Sequence, residues 1–165
     1  MQCSPDDDLA AWPDERVWAE LHARFATEDG WALEEGSVLE KAIASMRSFV
    51  VEPMQYGRLY LAGDAAHIVP PTRAKGLNLA AADVRVLAEA LGVWYERGDE
   101  SALAGYSATC LRRVWRAEHF SWWMTSMLHR FPGDDPFEAK LQLSQLAYVT
   151  SSKPAATSLA ENYVG

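Results

Sequence analysis

The stretch GRLYLAGDAAHIVPPTRAKGLN, residues 57–78, decides the architecture of this chain. It predicts a short apolar strand at 59–62, followed by a tight turn at Gly63 that carries Asp64. A Pro-Pro bend and a glycine-containing loop then lead into a long helix that begins near Leu77. An acidic side chain at the carboxyl end of a strand, facing a helix N-terminus across small residues, is typical of sites that hold a polar cofactor.

Composition limits the classes of protein to which the chain can belong. Its 165 residues are enough for one domain with a real core, and a hydrophobic fraction of 49% is ordinary for a globular protein. The net charge of −8 argues against nucleic acid or an anionic membrane as the main partner. No apolar run approaches the roughly 20 residues that a membrane span needs. With two cysteines and no signal-peptide pattern, we expect a cytoplasmic protein without a disulfide framework.

Apolar periodicity predicts two or three short strands beside three long helices, an α/β fold in which helices dominate. After a first helix from Pro13 to about Phe25, strands are expected at 47–52 and 58–62, and helices at 77–98, 101–130 and 136–149. The predicted buried face of the helix at 77–98 comprises Leu77, Ala80, Ala81, Val84, Leu87, Leu91 and Trp94. That of the helix at 101–130 comprises Leu103, Tyr106, Cys110, Val114 and Ala117. Because an isolated pair of strands is only marginally stable, these strands need further sheet partners.

The opening stretch resembles the second flavin-binding motif of the single-component FAD-dependent aromatic hydroxylases. The likeness continues through LRRVWRAEHFSWWMTSMLHRFP, residues 111–132, to ENYVG, residues 161–165, and covers nearly the whole chain from Trp12 onward. It implies an FAD-dependent monooxygenase that uses NADPH and O2 to hydroxylate 4-hydroxybenzoate, or a close analogue, ortho to its phenol. A hydroxylase of a different phenol is an alternative, which the two matches outside the flavin motif disfavour.

The chain contains no G-x-G-x-x-G, the motif whose Gly-rich turn holds a dinucleotide pyrophosphate. In the family that motif opens the chain. We therefore expect the helix-rich carboxyl-terminal part of a Rossmann-like FAD/NAD(P)-binding flavoprotein, with the N-terminal Rossmann half absent and the isolated chain inactive. Residues 1–52 would be the remnant of the substrate-binding domain and 53–165 the C-terminal part of the FAD-binding domain. The alternative hypothesis is a non-catalytic helical remnant that folds only with a partner.

The resemblance assigns cofactor contacts to the loop and to the start of the long helix. Asp64 would accept hydrogen bonds from the ribityl hydroxyls of FAD; alternatively, its side chain bonds its own turn. The first helical turn, Gly76, Leu77 and Asn78, would face the flavin ring edge that becomes negatively charged, with Asn78 alternatively a helix cap. Lys75 would add positive potential near the flavin.

Substrate and NADPH contacts are likewise implied by the resemblance. The carbonyl of Pro71 would meet the substrate's phenolic hydroxyl, with Thr72 beside it, and Tyr163 would extend a proton path from that phenol. Arg47 matches an arginine at the approach of NADPH. Arg73 departs from the glycine that the family usually has there.

The histidines and tryptophans favour structural interpretations. His67 belongs to the motif, but no Ser, Asp or metal ligand stands at a useful spacing, so we expect a structural histidine and no metal site. Trp115, Phe120, Trp122 and Trp123 are expected to pack, an interface between subunits being one option because related enzymes are homodimers.

Overall fold

The computed structural model describes residues 1–71, 74–131, 133 and 135–164, and these divide into two compact units, Met1–Ser45 and Met46–Gly165. In the first unit, helix α1 spans Asp14–Phe25 and follows Pro13 as predicted. Lys41 Nζ donates to the carbonyl oxygen of Trp12 at 2.9 Å and to the Asp14 carboxylate at 2.6 Å. These bonds tie the extended segment after α1 back to the start of the helix.

The strands of the second unit are short and form two antiparallel pairs. Strand β1, Phe49–Val50, pairs with β4, His67–Ile68, and β2, Gln55–Tyr56, pairs with β3, Leu59–Tyr60. Both predicted strands occur where expected but only two residues long. Their shortness agrees with the expectation that such strands need a larger sheet to extend them.

Helices make up most of the second unit. They are α2 (Gly76–Arg97), α3 (Ser101–Ala104), α4 (Tyr106–Leu128), α5 (Pro136–Ser151) and α6 (Lys153–Val164). Helix α2 ends where predicted, at Gly98 with φ of 69°. The prediction of a single helix at 101–130 was wrong, because the helix is interrupted at Gly105. Helix α6 was not predicted at all. Nothing in the apolar pattern separates α6 from a tail, because none of its residues is buried.

The buried faces of the two longest helices match their predictions unequally. All five residues predicted for the helix at 101–130 are buried, Leu103 on α3 and the other four on α4, which confirms that face. The predicted face of α2 was wrong in part, since Leu77 is 80% exposed and Val84 is 58% exposed. The inward positions are instead Leu79, Asp83 and Ala90. Apolar periodicity missed this face because its central residue is a carboxylate.

Helix α4 holds the β2–β3 hairpin by three hydrogen bonds. Ser107 accepts from the amide of Met54 at 2.9 Å and donates its own amide to Gln55 Oε1 at 3.1 Å. The Tyr106 hydroxyl donates to the carbonyl oxygen of Leu61 at 2.8 Å. Met54, Tyr106, Ala66 and Cys110 form the buried core beneath the hairpin. Residues 54–61, which precede the Gly63 turn, are therefore held against α4.

Two features of the described residues bear on partners. No helix among them is long and apolar enough to cross a lipid bilayer. No group of three or more His, Cys, Asp or Glu side chains in the same part of the chain is placed to hold a metal ion.

Candidate functional site

The Gly63 turn lies directly on helix α2. Gly63–Ala65 forms one turn of 3₁₀ helix, closed by a hydrogen bond from the amide of Ala66 to the carbonyl oxygen of Gly63 at 2.8 Å. Gly63 has φ of 61°, and a Cβ added there would lie 3.1 Å from Cβ of Ala80. Glycine thus serves both the left-handed backbone and the close approach to α2. The tight turn predicted at this position is confirmed.

Asp64 projects from this turn into solvent. The residue is exposed, and no other residue in the described ranges forms a hydrogen bond with its carboxylate. Within those ranges, the alternative in which Asp64 bonds its own turn is therefore not found. An ionised carboxylate presented in this way can accept several hydrogen bonds from hydroxyl groups of a ligand.

Beneath the turn, one carboxylate oxygen of Asp83 on α2 forms two hydrogen bonds. Its Oδ2 accepts the amide N–H of Gly63 at 3.1 Å and lies 2.6 Å from Nε2 of His67, and both side chains are 1% exposed. Burial raises the pKa of Asp83, but the hydrogen bonds from His67 and Gly63 outweigh it, so the pKa lies below the usual aspartate value. The Asp83 carboxylate is therefore ionised at neutral pH.

The pairing corrects the expectation that His67 has no Asp partner at useful spacing. The partner stands 16 residues further along, on a different element, where local spacing carries no information. One feature of the sequence could have indicated it. Asp83 lies four residues after Leu79 and seven before Ala90, so a charged residue occupies the same helical face as two buried apolar ones.

The first turn of α2 contains the residues predicted to face the flavin. Lys75 is the N-cap, and its carbonyl oxygen accepts the amide of Leu79 at 2.9 Å. Leu77 and Asn78 are exposed. Asn78 is the third residue of the helix, so the alternative in which it caps α2 is wrong. The positive end of the helix dipole lies at this turn.

The end of the chain reaches the same loop. Lys75 Nζ donates to the backbone carbonyl oxygen of Val164 at 2.7 Å, across 89 residues of sequence. Tyr163 precedes Val164 in α6 and is 54% exposed. The structure therefore brings two of the predicted site regions together, the start of α2 and the ENYVG segment.

The remaining predicted residues lie on the loop and on the strand before it. The carbonyl oxygen of Pro71 accepts the amide of Ala74 at 2.9 Å, which leaves one of its two lone pairs for a ligand. Thr72 and Arg73 fall outside the described residues, so their predicted contacts are untested. Arg47 is exposed and lies two residues before β1, whose partner β4 follows the Gly63 turn.

A protein-family comparison assigns this architecture. Residues 1–121 match the family model described as "FAD binding domain". The chain belongs to the FAD-binding domain family. The match confirms the predicted fold class, a helix-rich part of an α/β flavoprotein, and it extends over both compact units.

A comparison with individual proteins gives a nearer relative within the family. All 165 residues align at 52% identity with a protein named p-hydroxybenzoate hydroxylase from Acinetobacter baylyi. The chain spans 41% of that relative's length. The similarity confirms the resemblance to the FAD-dependent aromatic hydroxylases that the motifs indicated.

The residues at the Gly63 turn fit a flavin cofactor. The turn is closed against α2 so tightly that a Cβ at Gly63 would crowd Ala80, and this packing leaves Asp64 on the outside with its carboxylate accessible. The exposed N-terminal turn of α2 suits the negatively charged edge of a reduced flavin. The Asp64 carboxylate is chemically suited to the ribityl hydroxyls. The N-terminus of α2 and Lys75 are suited to the flavin ring.

Proposed function

We propose that this chain supplies the flavin- and substrate-facing part of an FAD-dependent, NADPH-using monooxygenase that hydroxylates 4-hydroxybenzoate ortho to its phenol. The observation that carries the proposal is the presentation of Asp64, an accessible carboxylate on a turn locked onto α2. Bound FAD would supply electron transfer from NADPH and activation of O2. The protein's part is to bind, orient and exclude water.

In this proposal each predicted site residue has a distinct task. Asp64 accepts hydrogen bonds from the ribityl chain, and the turn Gly76–Asn78 with Lys75 stabilises negative charge on the ring. The hydrogen bond from Lys75 to the backbone of Val164 supports placing Tyr163 near this loop. Tyr163 passes on the proton of the substrate phenol. The carbonyl of Pro71, with Thr72, meets that phenol, and Arg47 contributes to NADPH approach.

The same proposal extends to organisation and setting. Residues 1–52 belong to the substrate-binding domain and 53–165 to the FAD-binding domain, a boundary close to the division of the chain after Ser45. The site requires a pyrophosphate-binding Rossmann half besides this chain, as in a protein of the relative's length. We place the protein in the cytoplasm and allow for a homodimer.

A second candidate is a helical remnant without catalytic activity that folds only with a partner. The observation in its favour is the number of large apolar side chains left in solvent on α2, including Leu77 at 80% and Tyr95 at 77% exposed. The two candidates differ in what a Rossmann half would do. It restores FAD binding and hydroxylation under the first and only folding under the second.

The test uses a chimera in which this chain replaces the aligned 41% of the Acinetobacter baylyi hydroxylase. We expect the chimera to bind FAD and to hydroxylate 4-hydroxybenzoate with NADPH and O2. Asp64→Ala should weaken FAD binding on the order of tenfold or more, because hydrogen bonds to a charged acceptor are lost. The matched control is Glu89→Gln, an exposed carboxylate on α2.

Either of two results would contradict the proposal. A folded chimera that binds no FAD overturns the monooxygenase function and favours the helical remnant. A chimera whose FAD dissociation constant is the same with Asp64→Ala as without it removes Asp64 from the cofactor site.

A further inference from the structure

The buried carboxylate of Asp83 is attached to both ends of the segment that carries Asp64. Its Oδ2 bonds the amide of Gly63, the residue before Asp64, and Nε2 of His67, three residues after Asp64. A carboxylate that is 1% exposed is costly to bury unless it is fully paired. Two of its hydrogen-bond partners lie in this one five-residue segment, and the third is the Cys110 thiol of α4. The arrangement therefore does more than fill the core.

The geometry of the turn depends on the residue that Asp83 holds. Gly63 adopts the left-handed region with φ of 61°, and the direction of the chain at that residue sets where Asp64 points. The amide held by Asp83 is that of Gly63 itself. On the other side, His67 is fixed twice, by Asp83 and by its place in β4 opposite Val50. Asp64 thus lies between two anchored residues.

The groups around Asp83 leave it as the charged acceptor of this cluster. Burial, followed by the neighbouring Asp83 charge, raises the pKa of the Cys110 thiol to about 12, so Cys110 stays protonated at neutral pH. Burial likewise raises the pKa of Tyr106. Both groups are neutral and lie on α4. Asp83 is therefore the charged acceptor for the Gly63 amide and His67, with the neutral Cys110 thiol as a further donor.

We infer that Asp83 is a positioning residue for Asp64: anchored by His67, its carboxylate holds the Gly63–Ala65 turn so that the Asp64 carboxylate meets the ribityl hydroxyls of FAD. The inference rests on the proposed function, because it gives Asp83 a part in cofactor binding without contact to the cofactor. It predicts that the effect of Asp83 on FAD affinity is transmitted through Asp64.

A double-mutant cycle in the chimera tests this dependence. The FAD dissociation constant is measured by flavin fluorescence for wild type, Asp83→Ala, Asp64→Ala and the double variant. We expect Asp83→Ala to weaken FAD binding on the order of tenfold. In the Asp64→Ala background, the same change should have little further effect. Asp83→Asn should recover most of the affinity, since its amide oxygen can still accept the Gly63 N–H.

Two further measurements separate positioning from general stability. In the isolated chain, the amide of Gly63 should lose its hydrogen-exchange protection in Asp83→Ala and keep it in Asp83→Asn. Leu103→Ala, which truncates a buried side chain on α3, should lower the melting temperature while leaving FAD affinity unchanged. If Asp83→Ala behaves as Leu103→Ala does, the positioning role is wrong.

The outcomes also distinguish this inference from the proposed function. Wild-type FAD affinity in Asp83→Ala, or equal losses from Asp83→Ala with and without Asp64, overturns the positioning role alone. A folded wild-type chimera without FAD binding overturns the proposed function, and the cofactor role of Asp83 with it.

Discussion

Glu118 places a carboxyl group on the buried face of α4, where the residue is 6% exposed. One oxygen accepts the hydroxyl of Ser48 at 2.9 Å, and the other, Oε1, has no hydrogen-bond partner in the described part of the chain. Burial raises its pKa, although the Ser48 hydrogen bond and the nearby His67 oppose the rise. This residue therefore differs from Asp83, whose paired carboxylate has a lowered pKa.

We predict that Glu118→Gln stabilises the chain at neutral pH. A folded-state pKa above the unfolded one means that the folded chain binds a proton that the unfolded chain has released, so the free energy of unfolding falls as pH rises between the two pKa values. The neutral amide removes this loss, a gain of about 1 kcal/mol. Urea denaturation at pH 5 and pH 8 measures it. Asp83→Asn should instead destabilise the chain equally at both pH values, because a lowered pKa gives stability that is lost only as pH falls below the unfolded value of 3.8.

At Tyr163, the proposed proton path predicts a change in chemistry without a change in cofactor binding. In the chimera, Tyr163→Phe keeps the ring and removes the O–H group, so product formed per NADPH consumed should fall and the phenolic pKa of bound substrate should rise. FAD affinity should remain that of wild type. Tyr148→Phe, an exposed tyrosine on α5, is the control. Full product yield together with an unshifted phenolate titration would disprove the relay.

Between elements, the contact of the Gly63 turn with α2 is the closest packing that a glycine allows at this site. Adding a Cβ at Gly63 brings it within 3.1 Å of Ala80 and also places an L-residue at φ of 61°. Gly92, within α2, has no atom within 4 Å of an added Cβ and no left-handed backbone. Alanine at Gly63 therefore tests backbone strain and close packing, whereas alanine at Gly92 tests helix propensity alone.

We predict opposite signs for the two alanine substitutions. Gly63→Ala should destabilise by roughly 1–3 kcal/mol, since it combines backbone strain with a close contact. Gly92→Ala should stabilise by about 0.5–1 kcal/mol through helix propensity. Chemical denaturation of both variants measures the difference. Equal effects of the two substitutions would show that the turn does not lie on α2 as described.

Over the whole molecule, large apolar side chains remain exposed on several helices. They include Leu77, Val84, Trp122, Leu143 and Tyr148, each more than half exposed. Where such side chains adjoin one another, they form the kind of apolar surface that another part of a protein covers. Under the proposed function, the Rossmann half that completes the site would cover such side chains.

The isolated chain should not retain FAD at micromolar concentration. Its sequence holds no Gly-rich pyrophosphate cradle, so only contacts to the ribityl chain and ring remain, and these are too few to offset the entropy cost of binding. Absorbance near the flavin bands after gel filtration, and fluorescence titration, measure retention. A yellow protein that quenches flavin fluorescence stoichiometrically would contradict the prediction. The chimera serves as the positive control.

Local chemistry explains what the sequence alone determined about this protein. The Gly63 turn, the end of α2 at Gly98 and the start of α1 after Pro13 each depend on residues adjacent in the chain, and all three were predicted. The buried face shared by α3 and α4 was also predicted, because five apolar residues at helical spacing admit one buried side. The family resemblance followed from the same continuous motifs.

Tertiary structure alone decided the parts that depend on distant residues. Asp83 meets His67 from another element, and Lys75 meets the backbone of Val164 across 89 residues, contacts that no local pattern encodes. The inward face of α2 was mispredicted for the same reason, since a charged residue is buried only where partners from other elements hydrogen-bond it. The Asp83 carboxylate lies beneath the Gly63 turn because it hydrogen-bonds Gly63 and His67, and the hydrophobic pattern of α2 does not encode these contacts.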